Sequence, residues 1–263
     1  MTIADKGPRT RPFEANWLAR IGWLLLALYV VYAGAQLGFS WQRFSDGLGQ
    51  GGKFIARMFP PNFTRWELLM SGIVESLQIA VLSTVVGIVI SLPVGLLAAR
   101  NLMPAWVTWP ARGFIALCRS FHPIIVAILF VKAVGFGALA GILALIIASI
   151  GFISKLFAEA IEEISLKQVE AVRATGAGFT HILIMGVQPQ VLPRFIGFAA
   201  YQLDSNLRNS TMVGIVGGGG IGATLFTAYQ RFDYDFVLAM LIVIVAMIMV
   251  AEIVTGWARK VFQ

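Results

Sequence analysis

Charged residues are scarce in this sequence: Asp, Glu, Lys and Arg fill 13% of its 263 positions, while 58% are hydrophobic. About a quarter of an average soluble domain is charged, so the composition excludes an ordinary soluble globular protein. The single cysteine, Cys118, excludes an internal disulfide framework. Because Cys118 lies within an apolar stretch, we expect it to be a small buried side chain.

Histidine is also rare, which limits the chemistry available to the chain. Neither His122 nor His181 belongs to a cluster of metal-ligating residues. The sequence also offers no convincing pair of nucleophile and base. We therefore expect no metal site and no covalent chemistry, which makes an enzyme the least favoured class of function.

Long runs without charge are abundant instead. Residues 21–39, 79–99, 133–154 and 236–251 carry no charged side chain, and apolar runs near 20 residues are typical of bilayer-spanning helices. The predicted fold class is an all-α integral membrane protein with about six transmembrane helices. The predicted spans lie at about residues 21–39, 71–99, 114–134, 137–157, 191–208 and 236–257. The fifth is the weakest, because Arg194, Asp204 and Arg208 interrupt it.

The net charge of +7 indicates topology more than a nucleic-acid partner, because membrane proteins concentrate Lys and Arg on their cytoplasmic side. We expect contact with a lipid bilayer and none with nucleic acid. Basic residues flank the first and last spans and predict that both termini are cytoplasmic: Lys6, Arg9, Arg11, Arg20, Arg259 and Lys260. Residues 1–70 would then form a cytoplasmic tail, an uncleaved anchor helix and an outer loop. Residues 71–263 would form the transmembrane domain, with a cytoplasmic loop at 159–185.

Two nucleotide-binding patterns occur, and neither has the required context. Residues 47–53 match the P-loop pattern G-x-x-x-x-G-K, but Phe54 stands where Ser or Thr must hold Mg²⁺. Residues 217–222 match the dinucleotide pattern G-x-G-x-x-G, but no βαβ unit surrounds them. If ATP drives this protein, another chain must bind the ATP.

A short segment of the cytoplasmic loop, residues 165–176, has the features of a capped helix. Ser165 and Gln168 form a capping-box pattern, and Gly176 is placed to end the helix in a left-handed conformation. These features alone leave two interpretations open, an ordinary solvated loop helix and a helix that docks on a partner.

The same segment resembles the EAA motif of ABC importer permeases. Glu170-Ala171 is followed by Gly176 after five residues and by Pro189 after thirteen more. The departures are Val172, Gly186 and Gln188, which stand where a second Ala, Ile and Leu are usual.

This resemblance implies a type I ABC importer permease fold whose cytoplasmic loop docks on an ATPase subunit. It implies that ATP and Mg²⁺ bind to that partner, with no cofactor in this chain. The residues that match or flank the motif, and to which the resemblance gives the coupling role, are Glu170, Ala171, Arg173 and Gly176.

Two further segments resemble the phosphonate branch of these permeases, which includes phosphite carriers. They are residues 59–63 (FPPNF) and residues 204–222 (DSNLRNSTMVGIVGGGGIG), and the likeness covers most of the chain from about residue 59. It implies a permease subunit of the bacterial inner membrane that carries a phosphonate or phosphite. It also implies a homodimer with two ATPase subunits and a periplasmic substrate-binding protein. The outer gate and two-fold interface would lie at Gly217, Gly218, Gly219 and Gly220.

Other functions remain open at this point. Methionine permeases share the glycine-rich part, so an ABC permease for another small solute is the first alternative. A self-sufficient secondary transporter, in which Glu75, Asp204 and Arg208 form a proton or ion relay, is the alternative from another class.

Charged groups at membrane depth need a partner, an aqueous face or a function. Arg208 lies among neutral donors, and its guanidinium fork matches phosphoryl oxygens. The competing interpretation of Arg208 is a salt bridge to Asp204, one helical turn earlier. The competing interpretation of Arg119 is a side chain that extends to the lipid headgroups. The predicted substrate path consists of Arg208, Asn206, Asn209, Ser210, Thr211, Arg119 and Ser120.

Overall fold

The computed structural model describes residues 17–38 and 40–262, and these are almost entirely helical. No β-strand occurs in this described part, which confirms the predicted all-α class. Five of its helices are long and apolar enough to cross a membrane, or six if one bent pair counts as a span, in agreement with the predicted number. The chain divides into two units, Met1–Arg57 and Met58–Gln263.

The first unit contains helix α1 (Trp17–Gln36) and all but the last residue of helix α2 (Trp41–Met58). Helix α1 is the predicted anchor helix, and none of its residues is buried. Helix α2 lies in the part of residues 1–70 that was expected to form the outer loop, so this stretch is helical rather than irregular. Residues 47–53 lie inside α2, where no loop is available to cradle a phosphate, so the rejection of a P-loop is confirmed. The basic residues Lys6, Arg9 and Arg11 lie outside the described residues.

The second unit is a helical bundle with a short helix in the loop at residues 159–185. Its helices are α3 (Trp66–Ala98), α4 (Ala105–Ser120), α5 (Pro123–Val134), α6 (Ala138–Glu162), α7 (Leu166–Ala174), α8 (Phe179–His181), α9 (Gln188–Val213), α10 (Gly220–Gln230) and α11 (Tyr234–Phe262). A π-helical segment, Ile182–Val187, joins α8 to α9, and a second, Gly214–Gly218, follows α9. The fifth span, Phe179–Gly218, is therefore longer than predicted, and its helical geometry is broken near its end at Gly217, which has φ +100°.

Helices α3 and α6 form the most extensive pair of the bundle. A face of small residues, most of them three or four positions apart, is buried along α3: Gly72, Ser76, Ala80, Ser83, Thr84, Gly87, Ser91 and Gly95. Small residues let transmembrane helices approach closely. A Cβ added to Gly95 would lie 2.9 Å from the backbone oxygen of Ser154 on α6, so the two helices meet along their backbones.

The third predicted span is broken. Helices α4 and α5 are bent by 87° where residues 121 and 122 connect them. Pro123 disfavours a helical conformation in the residue before it, and His122 is extended (φ −70°, ψ 140°). The Nδ1 atom of His122 accepts the N–H of Ile124 at 3.3 Å, so His122 caps α5. Cys118 is buried, as predicted.

The turn before α3 is tied to the start of α11. Asn62 donates from Nδ2 to the carboxylate of Asp235 at 2.9 Å, and its N–H donates to the backbone oxygen of Asp235 at 3.1 Å. Arg65 forms an ion pair with Asp233 at 2.9 Å and lies 4.3 Å from the centroid of the Phe236 ring. The FPPNF segment therefore contributes to closing this end of the bundle.

Candidate functional site

Helix α7 is the short helix predicted in the cytoplasmic loop, and it is nine residues long. Its one buried residue, Val169, is 3% exposed. Val169 packs in an apolar cluster that includes Ile161 of α6 and Ile182 of the π-helical segment. A Cβ added to Gly186 would lie 3.4 Å from the Cα atom of Val169. The glycine at this departure from the EAA motif therefore lets α7 lie close against the fifth span.

Gln190 of α9 holds the start of α7. Its Oε1 atom accepts the N–H of Ser165 at 2.9 Å, and its Nε2 atom donates to the carbonyl oxygen of Gly186 at 2.6 Å. Ser165 occupies the predicted N-cap position, but its side chain makes no capping hydrogen bond. The predicted capping box is therefore wrong, because Gln190, rather than Gln168, satisfies the N–H of Ser165.

Charged side chains anchor the loop to the rest of the bundle. The Oε1 atom of Glu162 accepts a hydrogen bond from Arg112 at 2.6 Å and one from the backbone N–H of Arg100 at 2.7 Å. The adjacent Glu163 forms an ion pair with Arg194 of α9. The start of the loop is thus tied both to the α3–α4 region and to α9, just before α7 begins.

The predicted coupling residues all lie at the exposed surface: Glu170, Ala171, Arg173 and Gly176. Gly176 has φ +78°, and its N–H donates to the carbonyl oxygen of Arg173 at 3.0 Å. This is the predicted left-handed helix end, a conformation that favours glycine. A Cβ added to Gly176 would meet nothing within 4 Å, so the backbone conformation alone restricts this position.

A buried polar network joins the middle of α9 to α3 and α6. The amide of Asn206, which is fully buried, donates to Thr84 and to Ser149, each at 2.9 Å. Its Oδ1 atom accepts from Gln202 at 2.9 Å, and Gln202 also donates to Ser149 at 2.9 Å. Every polar atom of the Asn206 side chain has a partner within the bundle, which favours a structural role over the predicted place in a substrate path.

Arg208 points away from this network and is largely exposed. It donates to Asp204 at 2.8 Å, the salt bridge considered as the competing interpretation. The side chain of Arg208 is 57% exposed and that of Asp204 is 14% exposed. The second carboxylate oxygen of Asp204 is buried and has no hydrogen-bond partner. The exposed guanidinium therefore keeps donors available while one of them binds Asp204.

The other predicted path residues lie in different settings. On α9, Asn209 is half-buried and donates weakly to Ser205 at 3.4 Å, and buried Ser210 donates to the carbonyl oxygen of Leu207 at 2.7 Å. Buried Thr211 has a hydroxyl without a partner. These residues share a helix with Arg208, but Asn209 is the only other one of them that is not fully buried.

Arg119 and Ser120 lie apart from the α9 residues. Arg119 is exposed and lines a small cavity with Arg112, Lys155 and Glu159. Ser120 donates to the carbonyl oxygen of Leu117 at 2.8 Å. Among the described residues, those around the Arg119 cavity belong to α3, α4 and α6 and not to α9, whereas Arg208 pairs with Asp204 on α9, so the structure does not bring the two halves of the predicted path into one cavity.

The glycine-rich segment is closely packed rather than open. Gly217, Gly219 and Gly220 have φ of +100°, +80° and +74°, in the region that favours glycine. A Cβ added to Gly219 would lie 2.8 Å from the backbone nitrogen of Ala138 and 2.7 Å from a carboxylate oxygen of Glu75. Side chains at this position are therefore excluded by space as well as by conformation.

Two hydrogen bonds hold the same segment in place. The N–H of Ile221 donates to the hydroxyl of Ser76 on α3 at 2.9 Å, and the N–H of Gly137 donates to the carbonyl oxygen of Gly217 at 2.9 Å. The glycine-rich segment therefore lies between α3 and the start of α6. Its predicted place at an outer gate and two-fold interface stays a prediction.

Sequence reasoning missed several residues that hold these elements together. They are Gln190, Gln202, Ser149, Thr84 and Ser76. One local signal was available, because Gln202 and Asn206 are four residues apart in an apolar helix and so face the same side. The partners on α3 and α6 are far away in the chain, and no local pattern identifies them.

The alternatives can be compared with the same geometry. The relay of a secondary transporter would need Glu75 near Asp204 and Arg208. Among the described residues, Arg208 pairs with Asp204 and not with Glu75, and the second carboxylate oxygen of Asp204 has no hydrogen-bond partner. The part of the chain that the structure describes also contains no group of three or more His, Cys, Asp or Glu residues placed to hold a metal ion.

Comparison with known proteins agrees with the architecture. Residues 91–263, about two thirds of the chain, match the family model for the binding-protein-dependent transport system inner membrane component. A solved methionine ABC transporter in an inward-facing conformation has a subunit similar in structure, with a TM-score of 0.68 and 25% identity, covering 77% of this chain and 99% of that one.

Two curated relatives are more similar in sequence. A phosphate-import permease protein of Mycolicibacterium smegmatis is 41% identical over 208 residues, which cover 78% of this chain and 39% of the relative. The chain thus matches less than half the length of that relative. A phosphite transport system permease protein of Stutzerimonas stutzeri is 39% identical over 219 residues, which cover 83% of this chain and 80% of the relative.

Proposed function

The chain belongs to the family of binding-protein-dependent transport system inner membrane components, and from this membership we propose that it is the permease subunit of an ATP-driven importer for a phosphonate or phosphite. As a member of this family it is a multi-pass protein of the bacterial inner membrane and a transport subunit rather than an enzyme. The ATP hydrolysis and the substrate class are the proposed parts.

The observation that carries the proposal is the exposed helix α7, which packing and hydrogen bonds attach to the fifth span. Its buried residue Val169 and its clamp Gln190 attach it to the fifth span, while Glu170 and Arg173 face outward. A helix attached in this way transmits the movement of a bound partner protein to the fifth span. We assign the partner as a cytoplasmic ABC ATPase that carries the ATP and Mg²⁺, with Glu170, Ala171, Arg173 and Gly176 at the contact.

The proposed assembly contains two copies of this chain, two ATPase subunits and a periplasmic substrate-binding protein. The glycine segment, Gly217 to Gly220, would form the outer gate near the two-fold axis. Residues 71–263 would be the transmembrane domain, with residues 159–185 on the cytoplasmic side. Both termini would be cytoplasmic.

The relatives named for phosphate and phosphite transport support a phosphorus oxyanion as substrate. Arg208 supplies the matching chemistry, because its exposed guanidinium can donate to a tetrahedral anion in place of, or beside, the carboxylate of Asp204. We place Arg208 and Asn209 on the substrate path, with Arg119 and Ser120 as a separate group whose link to it has to be tested. Asn206 and Ser210 are assigned to packing.

The test of ATPase coupling uses two glycines of one loop. Gly176 and Gly178 both have open space where a Cβ would be, but Gly176 alone has a positive φ. Coexpressed with the neighbouring ATPase gene product, the unaltered chain should copurify with it and support ATP-dependent uptake. Gly176→Val should lose copurification and uptake, while Gly178→Val should keep both. Equal behaviour of the two variants would contradict the coupling role.

The substrate test is uptake into proteoliposomes that contain the purified complex and its binding protein. Phosphonate and phosphite should compete with each other, and methionine should compete with neither. Competition by methionine alone would support the alternative permease for another small solute. Uptake by vesicles that contain this chain alone, without an ATPase, would establish the secondary transporter instead.

A further inference from the structure

Helix α2 has a continuous apolar face. Phe44, Leu48 and Ile55 lie on one side of the helix at the spacing of a helical stripe, and they are 50%, 64% and 56% exposed. The ring of Trp41, which is 76% exposed, extends the stripe and meets Phe44 edge-on, with ring centroids 6.0 Å apart. A stripe of this kind marks a surface that meets something less polar than water.

The opposite face of α2 is polar and basic. At about 100° per residue, the side chains that fall there are Gln42, Arg43, Asp46, Gln50, Lys53 and Arg57. Three cations on this face stand against one carboxylate. An apolar stripe opposite a Lys and Arg face is the pattern of helices that lie in a membrane interface, where the cations meet anionic headgroups.

The preceding helix places α2 at a membrane surface. Helix α1 has 20 residues, and at a rise of about 1.5 Å each it is about 30 Å long, which equals the hydrocarbon thickness of a bilayer. Its end at Gln36 therefore lies at the membrane surface. Helix α2 begins at Trp41, so it starts at that same surface.

The break between the two helices is built into the chain. Gly38 has φ +67°, which ends the first helix in a conformation that favours glycine. The hydroxyl of Ser40 then accepts the N–H of Arg43 at 3.1 Å, which caps the start of α2. Helix α2 is therefore a separate helix that is free to leave the direction of α1, rather than a continuation of the span.

We propose that α2 lies along the outer surface of the inner membrane, with its apolar stripe in the acyl region and its basic face among anionic lipid headgroups. We place α2 on the outer side because we expect the amino terminus to be cytoplasmic. The lipid surface is favoured over a protein partner because the anchor α1 delivers α2 to it directly and because the basic face complements anionic headgroups. This inference does not depend on the import function.

The experiment uses the full-length chain with Cys118→Ala and one new cysteine at a time. Leu48→Cys tests the apolar stripe, and Gln50→Cys is its matched control on the polar face. Both positions are exposed in the structure, so protein packing alone predicts equal behaviour. Each purified variant is labelled with an environment-sensitive fluorophore and reconstituted into vesicles of phosphatidylcholine and phosphatidylglycerol.

The label at Leu48→Cys should emit at shorter wavelength, be quenched by acyl-chain nitroxides and be spared by aqueous iodide. The label at Gln50→Cys should respond in the opposite way. Equal quenching of both labels would overturn the proposal. Shielding of the Leu48→Cys label from both quenchers would also overturn it, because protein, such as a second copy of the chain, would then cover the stripe.

Two further measurements test the charge and the side of the membrane. In vesicles without phosphatidylglycerol, the emission of the Leu48→Cys label should shift toward that of the Gln50→Cys label. An unchanged emission would contradict the proposed contact between the basic face and anionic headgroups. In intact spheroplasts, a membrane-impermeant maleimide should label Gln50→Cys from outside. Labelling only after the membrane is opened would overturn the outer placement. The variants are compared only if their gel-filtration profiles match that of the Cys118→Ala parent. Ile55→Cys on the apolar stripe and Gln42→Cys on the polar face provide a second pair of label positions.

Discussion

The two ends of the fifth span hold their neighbours in opposite ways. At the end near α7, long side chains reach outward: Gln190 clamps Ser165, and Arg194 pairs with Glu163. At the other end the residues are glycines, which have no side chain, and this glycine segment contacts the backbone of α6 directly. One end is joined by polar contacts that can be lost one at a time, and the other by close packing that leaves no space for an added atom.

This difference indicates which end can tolerate change. A hydrogen bond between exposed groups contributes about 1 kcal/mol, so the loss of one weakens the contact without preventing it. A methyl group forced against a backbone atom shifts the helices themselves. We therefore expect the α7 end to be adjustable and the glycine end to behave as a rigid joint. The polar network of Asn206 lies between the two ends.

The largest effect is expected at Gly222. A Cβ there would collide with the carbonyl oxygen of Thr211 and lie 3.1 Å from the Cα atom of Gly214. Gly222→Ala should lower the free energy of unfolding by about 3 kcal/mol, as overpacking of a full core does, and should reduce the yield of folded protein. Thermal unfolding in detergent measures this. Gly113→Ala, where a Cβ would meet nothing within 4 Å, is the control and should be neutral or slightly stabilising, because alanine favours a helix interior over glycine. Equal stability of the two variants would contradict the interpretation of the glycine end as a rigid joint.

An intermediate effect is expected at Asn206. Asn206→Ala removes three hydrogen bonds and leaves buried polar groups on Gln202 and Thr84 without this partner, which costs about 1–3 kcal/mol. Asn209→Ala, three residues along the same helix, loses only a long bond to Ser205 and should cost little. Unfolding temperature and uptake are measured together. If Asn206→Ala were as stable as the parent but raised the KM for substrate, Asn206 would belong to the substrate path after all.

The smallest effect on stability is expected at Gln190. Gln190→Ala should leave the unfolding temperature of the bundle nearly unchanged but speed amide hydrogen exchange in α7, because the N–H of Ser165 and the carbonyl oxygen of Gly186 lose this partner. The local loss is about 1 kcal/mol. Gln188→Ala, two residues earlier and exposed, is the control. Unchanged exchange in α7 would mean that the packing of Val169 alone holds the helix.

Part of this comparison could be predicted from the sequence. The left-handed end of α7 at Gly176 follows from local pattern, because the conformation of a helix end depends on the residues next to it. The partner of Ser165 could not be predicted in the same way. Gln168 is at the expected spacing, yet Gln190, which is 25 positions away, makes the bond. The capping box fails because a partner on a packed helix replaced the local one.

The substrate-path residues show the same limit. Composition identifies Asn206 and Arg208 as unusual in an apolar span, but it cannot distinguish them. Only packing turns Asn206 into the bundle and leaves Arg208 exposed beside Asp204. Two residues apart on a helix, they point in directions about 200° apart.

The sequence by itself determined that the chain is helical and crosses a membrane, because a bilayer leaves backbone groups no partner except those within the helix. It also determined where α7 ends and that no nucleotide site lies at residues 47–53. The tertiary structure decided the hydrogen bonds of Gln190, the network of Asn206 and the closeness of the glycine segment to α3 and α6. These depend on which distant residues meet, and a local pattern carries no information about a partner on another helix.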